Sequence, residues 1–323
     1  MMSRASKPKS IFICGPTGSG KSALALELAK KCHATIINTD SMQVYDGLRV
    51  LTARPNVKDE KIVPHKLYGF VDPASKFSVG IWRHHAILAA SDALRSGRTP
   101  IFVGGTGLYF RTLLEGIAPV PTISEDVRKQ VQNLFDTLGR EEFCNKLSLL
   151  DPDGLKRVGS SNTHRLIRLY EVILATGRTL ADWQEESEVL LIDPILPAIE
   201  FVLSPDRKEL YQAINNRAES MVSAGVLIEL ELFLKREIPI SAPIKKAIGF
   251  KEFSQHLQGE MLLSDTISKV QINTRHYAKR QMTWFRNQMP NAIVLEDFGP
   301  EVFKIVQTTL DKLNQVDPIQ SKD

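Results

Sequence analysis

The chain has 323 residues and a formal net charge of +4. This length is typical of about two domains, and so small a net charge does not by itself indicate a nucleic-acid partner. Three scattered cysteines without C-x-x-C spacing exclude a disulfide framework and a zinc ribbon. No apolar stretch approaches membrane-spanning length. We therefore expect a cytoplasmic protein whose basic residues 1–9 form a frayed tail, or alternatively a short organelle-targeting peptide.

The first predicted strand, 10–14, runs directly into a phosphate-binding loop of the G-x-x-x-x-G-K-[ST] type. A predicted helix follows, so a chance glycine-rich turn is a poor alternative. The glycines let backbone N–H groups turn inward as an anion nest, the lysine adds a positive charge, and the serine is a candidate Mg²⁺ ligand. The pattern predicts a phosphorylated ligand without saying which one. The loop consists of Gly15, Pro16, Thr17, Gly18, Ser19, Gly20, Lys21 and Ser22.

Two further strands are predicted at 34–38 and 99–103, with a helix at 79–97 between them. Strands that alternate with helices indicate a mostly parallel sheet flanked by helices, which is an α/β fold. In such sheets, ligands bind at the carboxyl ends of the strands. Three strand ends are therefore expected to converge on one site.

From residue 119 the pattern becomes helical. Breaks are predicted at Gly139, at 151–154 and at Gly177, and no strand of convincing period 2 occurs. A strand then returns at 198–203. We therefore predict an α/β core formed by residues 1–118 and 197–323, which is interrupted by a mainly helical insertion at 119–196.

Asp40 and Thr106 follow two of the predicted strands. Asp40 could bind a metal or act as a general base, or it could simply cap the next turn. Thr106 lies in a flexible glycine-rich turn and could donate to a phosphate or a leaving oxygen, or it could merely belong to a tight turn. Ser41, Gln43 and Tyr45 carry groups that suit a nucleobase.

Basic residues gather late in the chain. The segment 266–295 has no Asp or Glu, carries Lys279 and Arg280 among other cations, and interleaves them with Tyr277, Trp284 and Phe285. Cations neutralise phosphates and aromatic rings stack on unpaired bases, so we interpret the segment as an RNA-binding helix. The alternative is a core helix with solvated cations. In the insertion, Arg165 and Arg168 share a helix face that suits either RNA or acidic partners.

Six segments together identify a family. They are 15–22, 40–45, 52–55, 103–109, 247–252 and 277–286. Through them the chain resembles the tRNA dimethylallyltransferases, also called tRNA isopentenyltransferases, over nearly its whole length. The resemblance implies a P-loop NTPase-like core and transfer of a dimethylallyl group from its diphosphate to N6 of the adenosine 3′ of the anticodon. No C-x-x-C pair follows the core, which favours a bacterial-type enzyme.

The resemblance also assigns roles. The phosphate loop would hold dimethylallyl diphosphate with Mg²⁺, Asp40 would accept the N6 proton, Thr106 would stand near the leaving diphosphate, and Arg217 would add charge to it. We expect a monomer that binds the anticodon stem-loop of tRNA and no membrane. The expected tRNA contacts are Asp40, Ser41, Met42, Gln43, Thr106, Arg128, His164, Arg165, Leu166, Ile167, Arg168, Lys246, Ala247, Ile248, Gly249, Phe250, Lys251, Lys279 and Arg280.

Two other functions use the same features. A small-molecule kinase or NTPase would use the phosphate loop, turn over ATP and need no RNA. A non-catalytic RNA-binding protein would use the loop only as a phosphate clamp, and its RNA binding would survive the loss of Asp40. Transfer of a labelled prenyl group, with ATP as the rival substrate, separates the three functions.

Overall fold

The computed structural model describes residues 9–187 and 197–315. The chain divides into two compact units. The first unit is formed by Met1–Leu114 together with Asp193–Asp323, and the second by Glu115–Ile192. The second unit thus begins and ends a few residues before the insertion predicted at 119–196.

The first unit is built on a six-stranded parallel sheet with the order β3-β2-β4-β1-β5-β6. The predicted α/β class is confirmed, and the four predicted strands are present. The sequence analysis missed β3 and β6, and β6 lies inside the segment 266–295 that was wrongly interpreted as one continuous helix. The strands are β1 Ser10–Cys14, β2 Ala34–Asn38, β3 His65–Lys66, β4 Thr99–Gly104, β5 Ala198–Leu203 and β6 Ile293–Leu295.

The helices in the described part of the chain cover both faces of this sheet and form the second unit. None of them is both long and apolar enough to span a bilayer. They are α1 Lys21–Lys31, α2 Val57–Ile62, α3 Val79–Arg95, α4 Gly107–Leu114, α5 Glu125–Leu150, α6 Pro152–Val158, α7 Thr163–Thr176, α8 Leu180–Ser187, α9 Arg207–Ser223, α10 Val226–Leu234, α11 Phe250–Leu257, α12 Leu263–Gln288 and α13 Phe303–Gln315.

Alternate side chains of β1 point into two separate cores, because successive residues of a strand face opposite sides of a sheet. Ile11 and Ile13 pack in a core with α1 and α13. Phe12 and Cys14 pack on the other side, in a larger core that includes Trp82 of α3 and residues of α4, α9 and α12. Burial on both faces explains why the strand is continuously apolar.

The second unit has a core of its own between α5 and α7, around Phe143 and Leu166. The predicted breaks are confirmed. Gly139 interrupts α5 with φ of 73°, the Asp151 carboxylate accepts a hydrogen bond from Gly154 N at 2.7 Å where α6 begins, and Gly177 ends α7 in the left-handed conformation. Each break therefore arises from local backbone chemistry.

Trp82 should be a principal support of the strand end that carries Asp40. Its side chain is fully buried, its indole N–H donates to Asn38 O at 3.1 Å, and its ring stacks on Tyr109 with centroids 3.9 Å apart. Because truncation leaves a large cavity, we expect Trp82→Ala to lower the free energy of unfolding by about 3–5 kcal/mol in urea denaturation. The control is Leu88→Ala, at a half-exposed position of the same helix, and an equal loss in both variants would contradict this role.

Candidate active site

The phosphate loop joins β1 to α1 and is shaped by its glycines. Gly15, Gly18 and Gly20 have φ of 155°, 87° and 78°, conformations that side chains disfavour. Gly20 is also the N-cap of α1, and no side chain caps the free N–H groups of that helix. Lys21 Nζ donates to Pro16 O at 3.1 Å, which holds the ammonium against the loop. The result is a concave set of donors suited to an anion.

Two cations and one carboxylate interact electrostatically at this loop. Burial lowers the pKa of Lys21 to about 8; the charge of Asp40 opposes this change, whereas that of Arg217 adds to it. Burial likewise lowers the pKa of Arg217, again against the opposing charge of Asp40. The carboxylate balances only one of the two cations, so the site attracts a further negative charge.

Asp40 caps the turn after β2, which is one of the two roles that the sequence analysis left open. Its backbone N–H donates to Asn38 Oδ1 at 2.8 Å, and its own Oδ1 accepts from the backbone of Met42 at 2.8 Å and of Gln43 at 3.4 Å. Asp40 therefore caps the turn after β2, and it also lines a cavity. Within the described residues, Oδ2 has no hydrogen-bond partner, which makes it the oxygen available to a ligand.

Thr106 is fixed by the turn that contains Asp40. Its hydroxyl accepts from Ser41 N at 3.0 Å and donates to Ser41 Oγ at 3.3 Å. The neighbouring glycines were expected to provide a flexible turn, and this interpretation is wrong. None has a positive φ; instead, a Cβ at Gly104 would overlap the backbone of Thr39, and one at Gly107 would overlap the ring of Trp284. Glycine is needed here because other groups approach closely.

A cavity of about 310 Å³ lies in the first unit between these elements. It brings together many of the predicted residues, namely Thr17, Asp40, Ser41, Met42, Arg217, Lys246, Ala247, Ile248 and Arg280. It also contains residues to which the sequence analysis gave no place in the pocket. These are Leu51, Thr52, Ile214, Ala218, Met221, Val270, Thr274 and Tyr277. The cavity thus combines an apolar wall with a cationic rim.

Helix α12 separates the aromatic residues that were predicted to stack on bases. Phe285 is 1% exposed and packs near Phe110, so its predicted stacking role is wrong. Trp284 packs against Gly107 at the start of α4. Tyr277 lines the cavity with the Arg280 guanidinium over its ring at 5.7 Å. Burial and the charge of Asp40 raise the pKa of Tyr277, so its hydroxyl remains protonated and can donate.

The predicted RNA contacts of the second unit divide into exposed and buried positions. His164 and Arg165 are exposed, and Arg168 lies 3.5 Å from Glu171 in an ion pair. Arg128 forms a weaker pair with Glu125 at 3.9 Å. Side-chain contacts with RNA are ruled out for two residues of the predicted set because they pack in the core of this unit; they are Leu166 and Ile167.

Three residues of the first unit also differ from expectation. Tyr45 is 2% exposed and belongs to the core, so it cannot stack on a base. Phe250 is buried against Phe233, with ring centroids 6.0 Å apart. The Gln43 side-chain N–H₂ donates to the carbonyls of Thr52 and Ala53 and so supports the cavity wall. By contrast, Lys251 and Lys279 are exposed.

Sequence reasoning missed two polar anchors, the half-buried Glu229 and the buried Gln281. The Glu229 carboxylate accepts from Val50 N at 2.8 Å and Leu51 N at 2.9 Å, and thereby fixes a loop that lines the cavity. Gln281 contacts the phosphate loop through Thr17 N at 2.8 Å. The sequence offers one signal for such anchors, which is a polar residue among the apolar residues of a helix. Glu229 in the α10 sequence VLIELELFL is an example.

Fold and site together define an α/β phosphate-binding protein with a cationic, partly apolar pocket. The sequence matches the family described as IPP transferase over residues 43–288 and the one described as isopentenyl transferase over residues 8–64. A tRNA dimethylallyltransferase of Azorhizobium caulinodans is 45% identical over 289 residues, 90% of this chain and 92% of that protein. One from Bradyrhizobium sp. is 44% identical over 303 residues, 94% and 97% of the two chains.

Solved structures agree with these sequence relationships. The tRNA isopentenylpyrophosphate transferase of Bacillus halodurans has 31% identity and a TM-score of 0.67, with 96% of this chain and 99% of that one covered. A eukaryotic dimethylallyltransferase acting on tRNA has 24% identity and a TM-score of 0.79, with 98% of this chain and 81% of that one covered. At this level of identity the likeness shows that the two proteins share a fold. The chain therefore belongs to the bacterial tRNA dimethylallyltransferase family.

The lowered pKa of Lys21 predicts a pH-dependent anion affinity. Below about pH 8 the ammonium is charged and attracts an anion, and above it the neutral amine does not. We expect the affinity for inorganic diphosphate, measured by calorimetry between about pH 7 and 9.5, to fall several-fold as the pH rises. Lys21→Arg keeps its charge and is the control for titration of the ligand itself. Equal slopes for the two proteins would contradict the prediction.

Proposed function

We propose that this protein transfers a dimethylallyl group from dimethylallyl diphosphate to N6 of the adenosine that follows the tRNA anticodon on its 3′ side. The products are N6-(dimethylallyl)adenosine and diphosphate. The observation that carries the proposal is that one cavity contains Thr17 of the phosphate loop, Asp40 and Arg217, with Lys246 and Arg280 beside them. Groups that can bind an anionic leaving group, a proton acceptor and cations that attract RNA are thereby close together.

The reaction forms one carbon–nitrogen bond and breaks one carbon–oxygen bond. The N6 lone pair of adenine attacks C1 of the prenyl group, and the diphosphate leaves with the electron pair of the C1–O bond. The attacking nitrogen becomes acidic as it gains positive charge, and Asp40 Oδ2 accepts its proton. Oδ1 is already held by Met42 N at 2.8 Å, so the carboxylate keeps its orientation during the transfer.

Charge stabilisation falls to the phosphate loop and its neighbours. Negative charge grows on the diphosphate as the C1–O bond breaks, and the charges of Lys21 and Arg217 together with the loop N–H groups would stabilise it. Thr106 is a further hydrogen-bonding group, and Tyr277, whose pKa is raised by burial and by Asp40, keeps its hydroxyl proton and can donate it in a hydrogen bond. An exocyclic amine is a poor nucleophile, so alignment of the two reactants supplies much of the rate enhancement.

We propose that Mg²⁺ binds together with the diphosphate. Mg²⁺ in enzymes commonly uses one or two protein oxygens and completes its shell with substrate phosphates and water. Ser22 fits this pattern because it is exposed at the start of α1. No group of three His, Cys, Asp or Glu side chains gathers as a metal site among the residues described. A bound Mg²⁺ would neutralise charge on the diphosphate, with Ser22 as its protein ligand.

The proposed RNA partner is the anticodon stem-loop. The target adenine must leave its stack to reach the cavity, which costs a few kcal/mol that phosphate contacts offset. Exposed cations on α12, on α11 and just before α11 are available for those contacts; they are Lys279, Arg280, Lys251 and Lys246. Arg128, His164 and Arg165 of the second unit are proposed to add to them. We further propose that the protein acts as a cytoplasmic monomer.

Prenyl transfer to unmodified tRNA is the direct test of this function. With radiolabelled dimethylallyl diphosphate, the wild-type protein should label tRNA, whereas Asp40→Asn should lose at least about a hundredfold in kcat because the proton acceptor is gone. The affinity for tRNA should change little in that variant. ATP hydrolysis without prenyl transfer would instead support the kinase or NTPase alternative. Equal turnover by wild type and Asp40→Asn would show that Asp40 is not the proton acceptor.

The salt dependence of tRNA binding tests the cationic surface of α12. Each phosphate contact releases counterions, so Lys279→Ala and Arg280→Ala should each weaken binding and reduce the slope of log Kd against log salt by about 1. Filter binding across a salt series measures both effects. Lys304→Ala is the control, since this exposed residue lies on α13, which packs on the opposite face of the sheet from α12. Unchanged slopes in the α12 variants would show that these cations are only solvated.

A further inference from the structure

Gln281 is the one residue of α12 whose side chain hydrogen-bonds to two of the loops around the cavity, within the residues that the structure describes. Its Oε1 accepts from the backbone N–H of Thr17 in the phosphate loop at 2.8 Å. Its Nε2 donates to Gly105 O, in the loop after β4, at 2.8 Å. The two bonds span separations of 264 and 176 residues along the chain. One amide thus joins three distant segments.

Only one orientation of this amide satisfies its surroundings. Thr17 N–H can only donate and Gly105 O can only accept, so the oxygen must face the phosphate loop and the nitrogen must face Gly105. The contact with Gly105 is close enough that a Cβ on that residue would overlap Nε2. Geometry therefore specifies both the glutamine and the glycine.

The burial of Gln281 shows how strongly the position depends on these bonds. Its side chain is 5% exposed and lies on the buried face of α12, between Ala278 and Phe285. A buried amide without partners costs free energy, and here both of its polar ends are satisfied. An apolar residue could fill the same space, so the polar character points to a task other than packing.

The bond to Thr17 also affects what the phosphate loop offers a ligand. A nest binds an anion well when its N–H groups already point inward, because no reorganisation is then needed. The Thr17 N–H is committed to Gln281 and not to a ligand, and it fixes the loop beside Pro16, whose carbonyl oxygen holds Lys21. The lysine and the remaining N–H groups are thereby oriented before an anion arrives.

We propose that Gln281 is a positioning residue that holds the phosphate loop in its anion-binding form. It does so by bridging the loop to Gly105 and to the helix that carries Lys279 and Arg280. This inference rests on the proposed function for the identity of the substrate, dimethylallyl diphosphate. The step itself, binding of a diphosphate group, can be measured without RNA and without turnover.

The test compares Gln281→Met with the wild-type protein. Methionine has a similar length and is apolar, so it fills the site but makes neither hydrogen bond. We expect the Kd for inorganic diphosphate, measured by calorimetry without tRNA, to rise about tenfold. The KM for dimethylallyl diphosphate at saturating tRNA should rise by a similar factor, while the Kd for tRNA stays within about twofold.

Gln281→Glu is the second variant. Its carboxylate can still accept from Thr17 N–H, but it sets a negative charge against Gly105 O and beside the diphosphate. We expect weaker diphosphate binding than in Gln281→Met, so the affinity order is wild type, then Met, then Glu. Thermal unfolding of each variant reports whether it is folded. The order of diphosphate affinities is then tested with the variants that fold.

Gln271→Met is the matched control, because Gln271 lies on the same helix and its side chain donates to Asn215 O at 3.4 Å, away from the phosphate loop. It should leave the diphosphate Kd unchanged. A diphosphate Kd that is unaltered in both Gln281 variants would overturn the proposal, as would an equal loss in Gln271→Met. A wild-type protein that binds diphosphate but transfers no prenyl group would refute the proposed function and not this inference.

Discussion

The site depends on an incomplete balance of charge, in which two cations face one carboxylate at the carboxyl end of the parallel sheet. Lys21 and Arg217 are both partly desolvated. Among the residues that the structure describes, Asp40 is the only acid that counters them in their pKa shifts, apart from the weakly acidic Cys14 beside Lys21. A site with this excess of positive charge is unfavourable when empty and is relieved by an anion. The phosphate loop adds N–H groups of fixed direction. The same positive charge therefore favours binding of a diphosphate and favours its departure from the prenyl carbon.

Helix α12 connects this centre to the protein surface. One face of the helix is core, where Val270, Ala278 and Phe285 are buried. The opposite face presents Lys279 and Arg280 to solvent. A rigid element that is anchored in the core and charged outside can hold an RNA backbone at a fixed distance from the cavity. Placing the reactants accurately matters more here than strong basicity, because the nucleophile is a weak one.

Local patterns explain what the sequence could predict. The strand before Gly15 and the loop up to Ser22 were predictable because apolar runs, glycines and a helix start lie within a few adjacent residues. The end of α12 was misjudged because composition alone cannot separate a basic helix from the short strand β6 that follows Pro290. The roles of Gly105 and Gln281 could not be predicted, since each depends on groups more than a hundred residues away.

The proposed mechanism requires that the diphosphate and the target adenine meet in the cavity that contains Asp40. The most direct measurement is a crystal structure with an unreactive thio analogue of dimethylallyl diphosphate and an anticodon stem-loop. We expect the diphosphate in the loop that begins at Gly15, and adenine N6 between the prenyl C1 and the Asp40 carboxylate, within about 3 Å of that carboxylate. A diphosphate bound outside that loop, or an adenine that stays stacked in the RNA with Asp40 facing solvent, would contradict it.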